Sequence, residues 1–286
     1  MADIISIAKS IFENQKAEMI IGYAKATKEG RTRPVVVRTL DEVKELVLNS
    51  FCLNNLSTYL TRKENKGKRV AIVAKGCDIK AIVQLIAENQ IRRENVYVVG
   101  VKCSGVRRGF EGHDSTKIAE KCITCNVKTP HLFDELVEMK GEELPGTDEK
   151  AESIVKLEQM TANERFAYWE EQFERCIKCY ACRQICPLCY CERCIADKSM
   201  PRWIETSPTK RGNFAWNIVR AFHLSGRCIG CNECERVCPA GIPLSLINRK
   251  MAKVAKSEFG YESGMDPNAP TLIGTYDVKD KEDFIR

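Results

Sequence analysis

The chain is short of histidine, has no long apolar run and has no block of like charge, and each shortage removes a class of function. No stretch reaches the roughly 18–20 apolar residues that a membrane-crossing helix needs, so no span is expected. The opening MADIISIAKSIFENQ has neither the basic start nor the small-residue cleavage site of a secretory signal, and a cytoplasmic location is expected. The net charge of +6 is mild and its lysines and arginines are scattered, so nucleic acid is not implied as a partner. GVRRGFEGHD contains glycines but not the G-x-G-x-x-G fingerprint after a strand, so no dinucleotide site is argued. RPVVVR and KSMPRWIETSPTKRG mix basic and aromatic residues and read as solvated surface. No paired carboxylates and no nucleophile-base set compel a catalytic residue. At 286 residues, with 44% apolar and 29% charged, the chain suits two ordinary globular domains.

What is abundant is cysteine, with 16 in the chain. A reducing compartment keeps thiols free, and most of these stand two or three residues apart, so metal is expected rather than a disulfide framework. Two runs repeat the pattern C-x2-C-x2-C-x3-C-P: Cys176, Cys179, Cys182 and Cys186, then Cys228, Cys231, Cys234 and Cys238. That is the spacing of bacterial-type ferredoxin sites, in which the fourth cysteine of each run serves the other cluster. One 4Fe-4S cluster is therefore expected on Cys176, Cys179, Cys182 and Cys238, and a second on Cys228, Cys231, Cys234 and Cys186. The competing reading is a pair of zinc knuckles, but these more often use separated C-x2-C pairs or bring in histidine, and the chain has only 3 histidines. Lys178, Arg183, Arg193 and Lys198 lie near these runs and are expected to raise cluster potentials.

The first half alternates strand and helix patterns. PVVVR (34–38) reads as a strand and DEVKELVLNSF (41–51) as a helix; KRVAIVA (68–74) and NVYVVGV (95–101) read as buried parallel strands flanking the helix CDIKAIVQLIAENQ. The fold class expected is an α/β N-terminal domain with a small parallel sheet, followed by an α-helical, loop-rich ferredoxin-like domain holding two 4Fe-4S clusters. The expected boundaries are 1–140 for the α/β domain, 141–165 for a linker (GEELPGTDEK) and helix, 166–260 for the dicluster domain with an insertion between its motifs, and 261–286 for a polar tail.

Cys77 follows one buried strand and opens a helix, and Cys103 lies just past the next strand, so both sit at the sheet's carboxyl edge, where open α/β folds bind ligands. The pair in KCITC, Cys122 and Cys125, is placed to close over them. These four thiols would make a third cluster; the alternative is that the buried ones are small hydrophobes. For Cys52, inside the helical pattern DEVKELVLNSFCL, a core role is at least as well supported as ligation.

KRVAIVAKGCDIKAIVQLI, VYVVGVKCSG and KCITC together resemble the core of the beta subunits of deazaflavin-reducing hydrogenases and related formate dehydrogenases. The resemblance covers roughly residues 65–130. It implies cluster ligands at Cys77, Cys103, Cys122 and Cys125, and it raises a flavin (FAD) as a further cofactor. The loop here reads Lys75-Gly76-Cys77-Asp78 where that family has Gly-x-Pro-Cys-Gln, and the elements usual near the flavin do not follow Cys125. The second half also resembles iron-sulfur subunits of sulfhydrogenases and of complexes partnering heterodisulfide reductase.

The stretch CPLCYCERC (186–194) continues past the end of the first run. With the assignments above, Cys52, Cys189, Cys191 and Cys194 remain. Three readings stay open: a fourth cluster completed by Cys52 or a non-cysteine ligand, Cys189 or Cys191 in place of Cys186, or a structural zinc or free thiols. The function expected is that of an iron-sulfur electron-transfer subunit of a multisubunit cytoplasmic oxidoreductase. It would relay single electrons between a catalytic subunit of hydrogenase, formate dehydrogenase or similar type and another redox partner. The alternatives are a flavin-containing catalytic subunit exchanging hydride and a zinc-bearing interaction module.

Overall fold

A computed structural model describes residues 3–109, 116–139, 145–276 and 278. His113, the acidic start of the linker sequence and most of the last ten residues lie outside the described residues. The N-terminal half is a five-stranded sheet in the order β2-β1-β3-β4-β5, made by β1 (Met19–Lys25), β2 (Thr32–Val37), β3 (Val70–Ala74), β4 (Val96–Lys102) and β5 (Glu135–Glu138). Only the β1/β2 pair is antiparallel; β1, β3, β4 and β5 run parallel. Every residue of β3 is buried, as a central parallel strand requires. Pro34 falls in β2, at the sheet edge, where a missing N–H is tolerated. Helix α1 (Ile4–Glu13) buries Ile4, Ile7, Ala8 and Ile11 and is capped by Asp3. Helix α2 (Gly76–Ala87) makes the crossover from β3 to β4.

The expected helix over 41–51 does not form. Leu40–Glu45 is a 3-10 turn, after which Leu46 bridges to Ala24 and the Val47 N–H donates to the Tyr23 carbonyl. Hydrogen bonding to the flank of β1 outcompetes helical continuation, a tertiary override of a local pattern. Strand β1 is buried from Met19 to Ala24, Gly22 included. A Cβ at Gly22 would lie 2.6 Å from a Leu46 methyl, so that glycine lets the Leu46 segment approach.

After the short helix α3 (Glu120–Ile123), the C-terminal half is helical: α4 (Glu149–Gln159), α5 (Ala162–Glu174), α6 (Ala181–Gln184), α7 (Lys210–His223), α8 (Glu233–Arg236) and α9 (Leu244–Phe259). Helices α4 and α5 are divided at Thr161, whose side chain forms a capping box with Glu164. Asp148 caps α4 and pairs with Arg249 of α9 at 2.9 Å, so the end of the linker sequence is anchored. Among the described residues no helix is long and apolar enough to cross a membrane.

The start of the tail returns to the sheet half. Gly264 N–H and the Tyr261 hydroxyl both donate to the Gln84 side chain on α2, and a Cβ at Gly264 would lie 2.1 Å from the Lys80 carbonyl oxygen. The Glu262 carboxylate accepts from Lys256 (2.7 Å), Asn126 (2.6 Å) and Lys80 (3.2 Å). Burial alone would raise its pKa, but these donors prevail and hold it at about 2. Its folded value is depressed, so its stabilisation is complete above about pH 4.5 and is lost as pH falls toward 2. Denaturation of wild type and E262Q at paired pH values should show a gap of about 1 kcal/mol at neutrality, allowing for solvent screening. That gap should close in acid; one that persists unchanged near pH 2 contradicts the clamp.

Candidate metal centres

The two C-x2-C-x2-C runs fold alike. Cys176 follows the end of α5, Lys178 and Tyr180 have φ of 55° and 56°, and Cys182 lies in α6. In the second run Gly230 and Asn232 have φ of 71° and 54°, and Cys234 lies in α8. Left-handed residues two positions apart help turn N–H groups toward a common concavity, a backbone arrangement suited to an anionic cluster. For Lys178 and Tyr180 this conformation costs on the order of 1–2 kcal/mol each, which argues for a purpose at that spot.

Three spaces follow, each lined by four cysteines and measured with the part open to solvent. Cys176, Cys179, Cys182 and Cys238 surround one of about 340 Å³. Cys228, Cys231 and Cys234 surround a second of about 420 Å³ together with Cys186. The fourth cysteine of each run thus lines the cavity of the other. Cys77, Cys103, Cys122 and Cys125 surround a third of about 320 Å³ at the carboxyl edge of β3 and β4. Among the described residues no three Cys, His, Asp or Glu side chains converge tightly enough for a single metal ion. The thiols stand around a volume rather than a point, which fits a polynuclear cluster better than one tetrahedral zinc.

The sheet-edge site is built by close backbone approach. A Cβ at Gly76 would lie 1.8 Å from the Val127 carbonyl oxygen, so glycine there lets the loop after Cys125 lie on the start of α2. The Val106 N–H donates to Cys122 Sγ at 3.4 Å, and Lys128 Nζ donates to the Cys122 carbonyl at 2.8 Å. Burial pushes the Cys103 thiol up to about 11 and raises Cys77 as well, with Lys121 and Lys75 opposing the latter. Both lysines are buried at this wall. Lys75 pairs with Asp78 at 3.0 Å and bonds the Tyr23 hydroxyl, and Lys121 donates to the Leu53 carbonyl and pairs with Glu233 at 3.3 Å. Sequence reading missed Lys75 and Lys121 as site residues; their only signal is that Lys75 stands two residues before Cys77 and Lys121 directly before Cys122.

Glu233 flanks Cys234, so the Lys121–Glu233 pair ties the sheet-edge site to the second site. The apolar packing makes the same connection. Cys77, Cys186, Cys228 and Cys231 pack with Ala81, Leu85 and Leu224, while Cys234 packs with Phe173, Cys176, Cys182 and Cys238. The three sites therefore follow one another through packed apolar side chains: sheet edge, then the Cys228 site, then the Cys176 site. At the far end Cys179 is exposed and Ile177 is 61% exposed.

Cys189, Cys191 and Cys194 line a different space, an open cleft of about 2570 Å³ that they share with Cys186, Arg183, His223 and Arg227. Cys189 packs beside Cys186 in one apolar cluster, and Cys194 lies along the same cleft as Arg183. Cys52 is not brought to them. It is 0% exposed in the core of the sheet domain, where its thiol contacts the Val47 carbonyl and accepts from the Asn49 N–H. Burial raises its pKa, and the fourth-cluster arrangement completed by Cys52 is corrected to a core role for that thiol. Of the cations expected to tune potentials, Lys178 is buried and donates to the Glu205 carbonyl, Arg183 pairs with Asp197 at 2.8 Å, and Arg193 and Lys198 are exposed.

Residues 159–243, which contain both repeated runs, match the 4Fe-4S dicluster domain. The chain carries a dicluster iron-sulfur domain. Over 84% of its length it is similar to the F420-dependent formate dehydrogenase subunit beta of Methanocaldococcus jannaschii, at 26% identity across 85% of that protein. It is similarly related to the F420-dependent formate dehydrogenase 1 subunit beta of Methanococcus maripaludis, at 21% identity over 84% of each chain. The resemblance noted on residues 65–130 thus extends well beyond them into the dicluster domain.

K121M should cost about 3–5 kcal/mol, because it strips a buried carboxylate of one of its two cations. Replacing both partners, as K121M/E233L, should recover most of that loss in chemical denaturation. A single variant as stable as wild type would show that the pair does not join the halves.

Proposed function

We propose that this chain is an iron-sulfur electron-transfer subunit of an oxidoreductase, with three 4Fe-4S clusters on the three four-cysteine sites. The observation that carries the reading is the triple recurrence of four thiols around a space of similar size, two instances of it inside the dicluster domain. When bound, such a cluster supplies single-electron exchange with little rearrangement of its ligands. The chain's own residues bury most of the lining of the sites and place them in series through apolar packing.

The order of the sites supports a relay with one end at the sheet edge and the other at the exposed Cys179 and Ile177 surface. By analogy with the formate dehydrogenase beta subunits it is similar to, we place it in a complex with a catalytic subunit of that kind. Sixteen cysteines, none of them in a disulfide, support a reducing, cytoplasmic setting.

Purified without oxygen, the chain should hold roughly twelve iron atoms and as many acid-labile sulfides, the content of three cubes. C77S should lower both by about a third, while C52S should leave both unchanged. Iron near sixteen assigns a further cluster to Cys189, Cys191 and Cys194, bound flavin favours a hydride-exchanging catalytic subunit, and zinc without iron would falsify the relay.

A further inference from the structure

Arg220, on α7, is buried to 4% exposure, yet among the described residues it has no carboxylate partner. One guanidinium nitrogen donates to the Cys182 carbonyl at 3.1 Å, and Nε is enclosed without any hydrogen-bond partner. The side chain lines the Cys186/Cys228/Cys231/Cys234 cavity while holding the backbone of a cysteine from the other site. Arg183, one turn from Cys186, shows the ordinary solution for such a cation, a direct pair with Asp197. An isolated buried guanidinium is expensive, and neutral thiols do not offset that cost. Four-thiolate clusters on both sides would.

We propose that Arg220 is the shared counter-cation of the two clusters of the dicluster domain and sets their reduction potentials together. The inference rests on the cluster reading above. Reduction adds a negative charge to a cluster, so a fixed cation beside it stabilises the reduced form more than the oxidised one and raises the potential. Because Arg220 holds the backbone of a cysteine of one site and lines the cavity of the other, its charge acts on both, keeping them close enough in potential for an electron to pass either way. It acts through the ligands rather than as a ligand, and so is a positioning residue. The sheet-edge site has its own buried cations, Lys75 and Lys121, and is predicted to be indifferent to Arg220.

The test is an EPR-monitored redox titration of the anaerobically prepared, cluster-loaded full chain, with iron and sulfide measured first, for wild type, R220Q and R220K. Glutamine retains a donor for the Cys182 carbonyl without charge; lysine retains the charge. In R220Q both dicluster potentials should fall so that the reduced-to-oxidised ratio at fixed ambient potential drops at least about tenfold, or about 59 mV for one electron. The sheet-edge cluster should move by less than about threefold, and R220K should recover most of the loss. If R220Q loses iron while R220K keeps it, the charge requirement stands. The proposal is overturned if R220Q leaves both potentials within about threefold of wild type, if all three clusters shift alike, or if both variants lose iron. A wild-type chain that takes up no iron overturns the cluster reading, and this inference with it.

Discussion

Lys121 and Glu233 are both cut off from water, and each is one residue from a cysteine: Cys122 at the sheet edge and Cys234 in the helical half. Desolvating two charges is costly, and the cost is offset here by a dense set of partners, since Lys121 also donates to Leu53 and Glu233 also pairs with Arg236 at 2.5 Å. A pair of that kind has a narrow range of geometries. Fixing it fixes α3 against α8, and with them the walls of two four-cysteine cavities. The return of the tail to α2 through Glu262, Tyr261 and Gly264 closes the same two halves from the other side. Without this joint the sheet-edge thiols and the Cys228 site would be separate devices.

The cations follow a pattern that packing alone does not demand. Lys75, Lys121 and Arg220 are each buried beside thiols, and only the lysines have carboxylates to answer them. A core built for stability would use apolar residues of similar volume, which are commonly as stable as a buried ion pair. Cations walled in with groups of four thiols make physical sense when those thiols are deprotonated and carry a larger anion. The exposed Arg193 and Lys198, screened by solvent, act on that anion far more weakly.

What the sequence made legible was local or repeated. The cysteine runs, the crossover from β3 through α2 to β4, and the sheet-edge placement of Cys77 and Cys103 all follow from short spacing and periodicity. The grouping of Cys238 with the first run and of Cys186 with the second was expected from the ferredoxin spacing, and the two cavities are lined in that way. What was not readable depended on contacts distant in sequence. The DEVKEL segment has a helical pattern, but the flank of β1 claims its backbone. Cys52 has no marker separating it from a ligand until it is found among core aliphatics, and nothing local distinguishes Arg220 from the other arginines.

The repeated runs differ where the backbone turns left-handed, and the difference bears on what the sites are for. The second run has Gly230 and Asn232 there, residues that adopt positive φ at low cost; the first has Lys178 and Tyr180, which do not. Lys178 is retained despite the strain and is anchored by its bond to the Glu205 carbonyl, while the Tyr180 ring packs edge-on against Trp216 with Arg183 over its face. Those side chains close the flanks of the site whose Cys179 and Ile177 reach the surface. The Cys228 site lies between its two neighbours and is covered by packing from both sides. The outer site, open to solvent at one edge, has to supply cover from its own turn residues, and the strained conformations are where it does so.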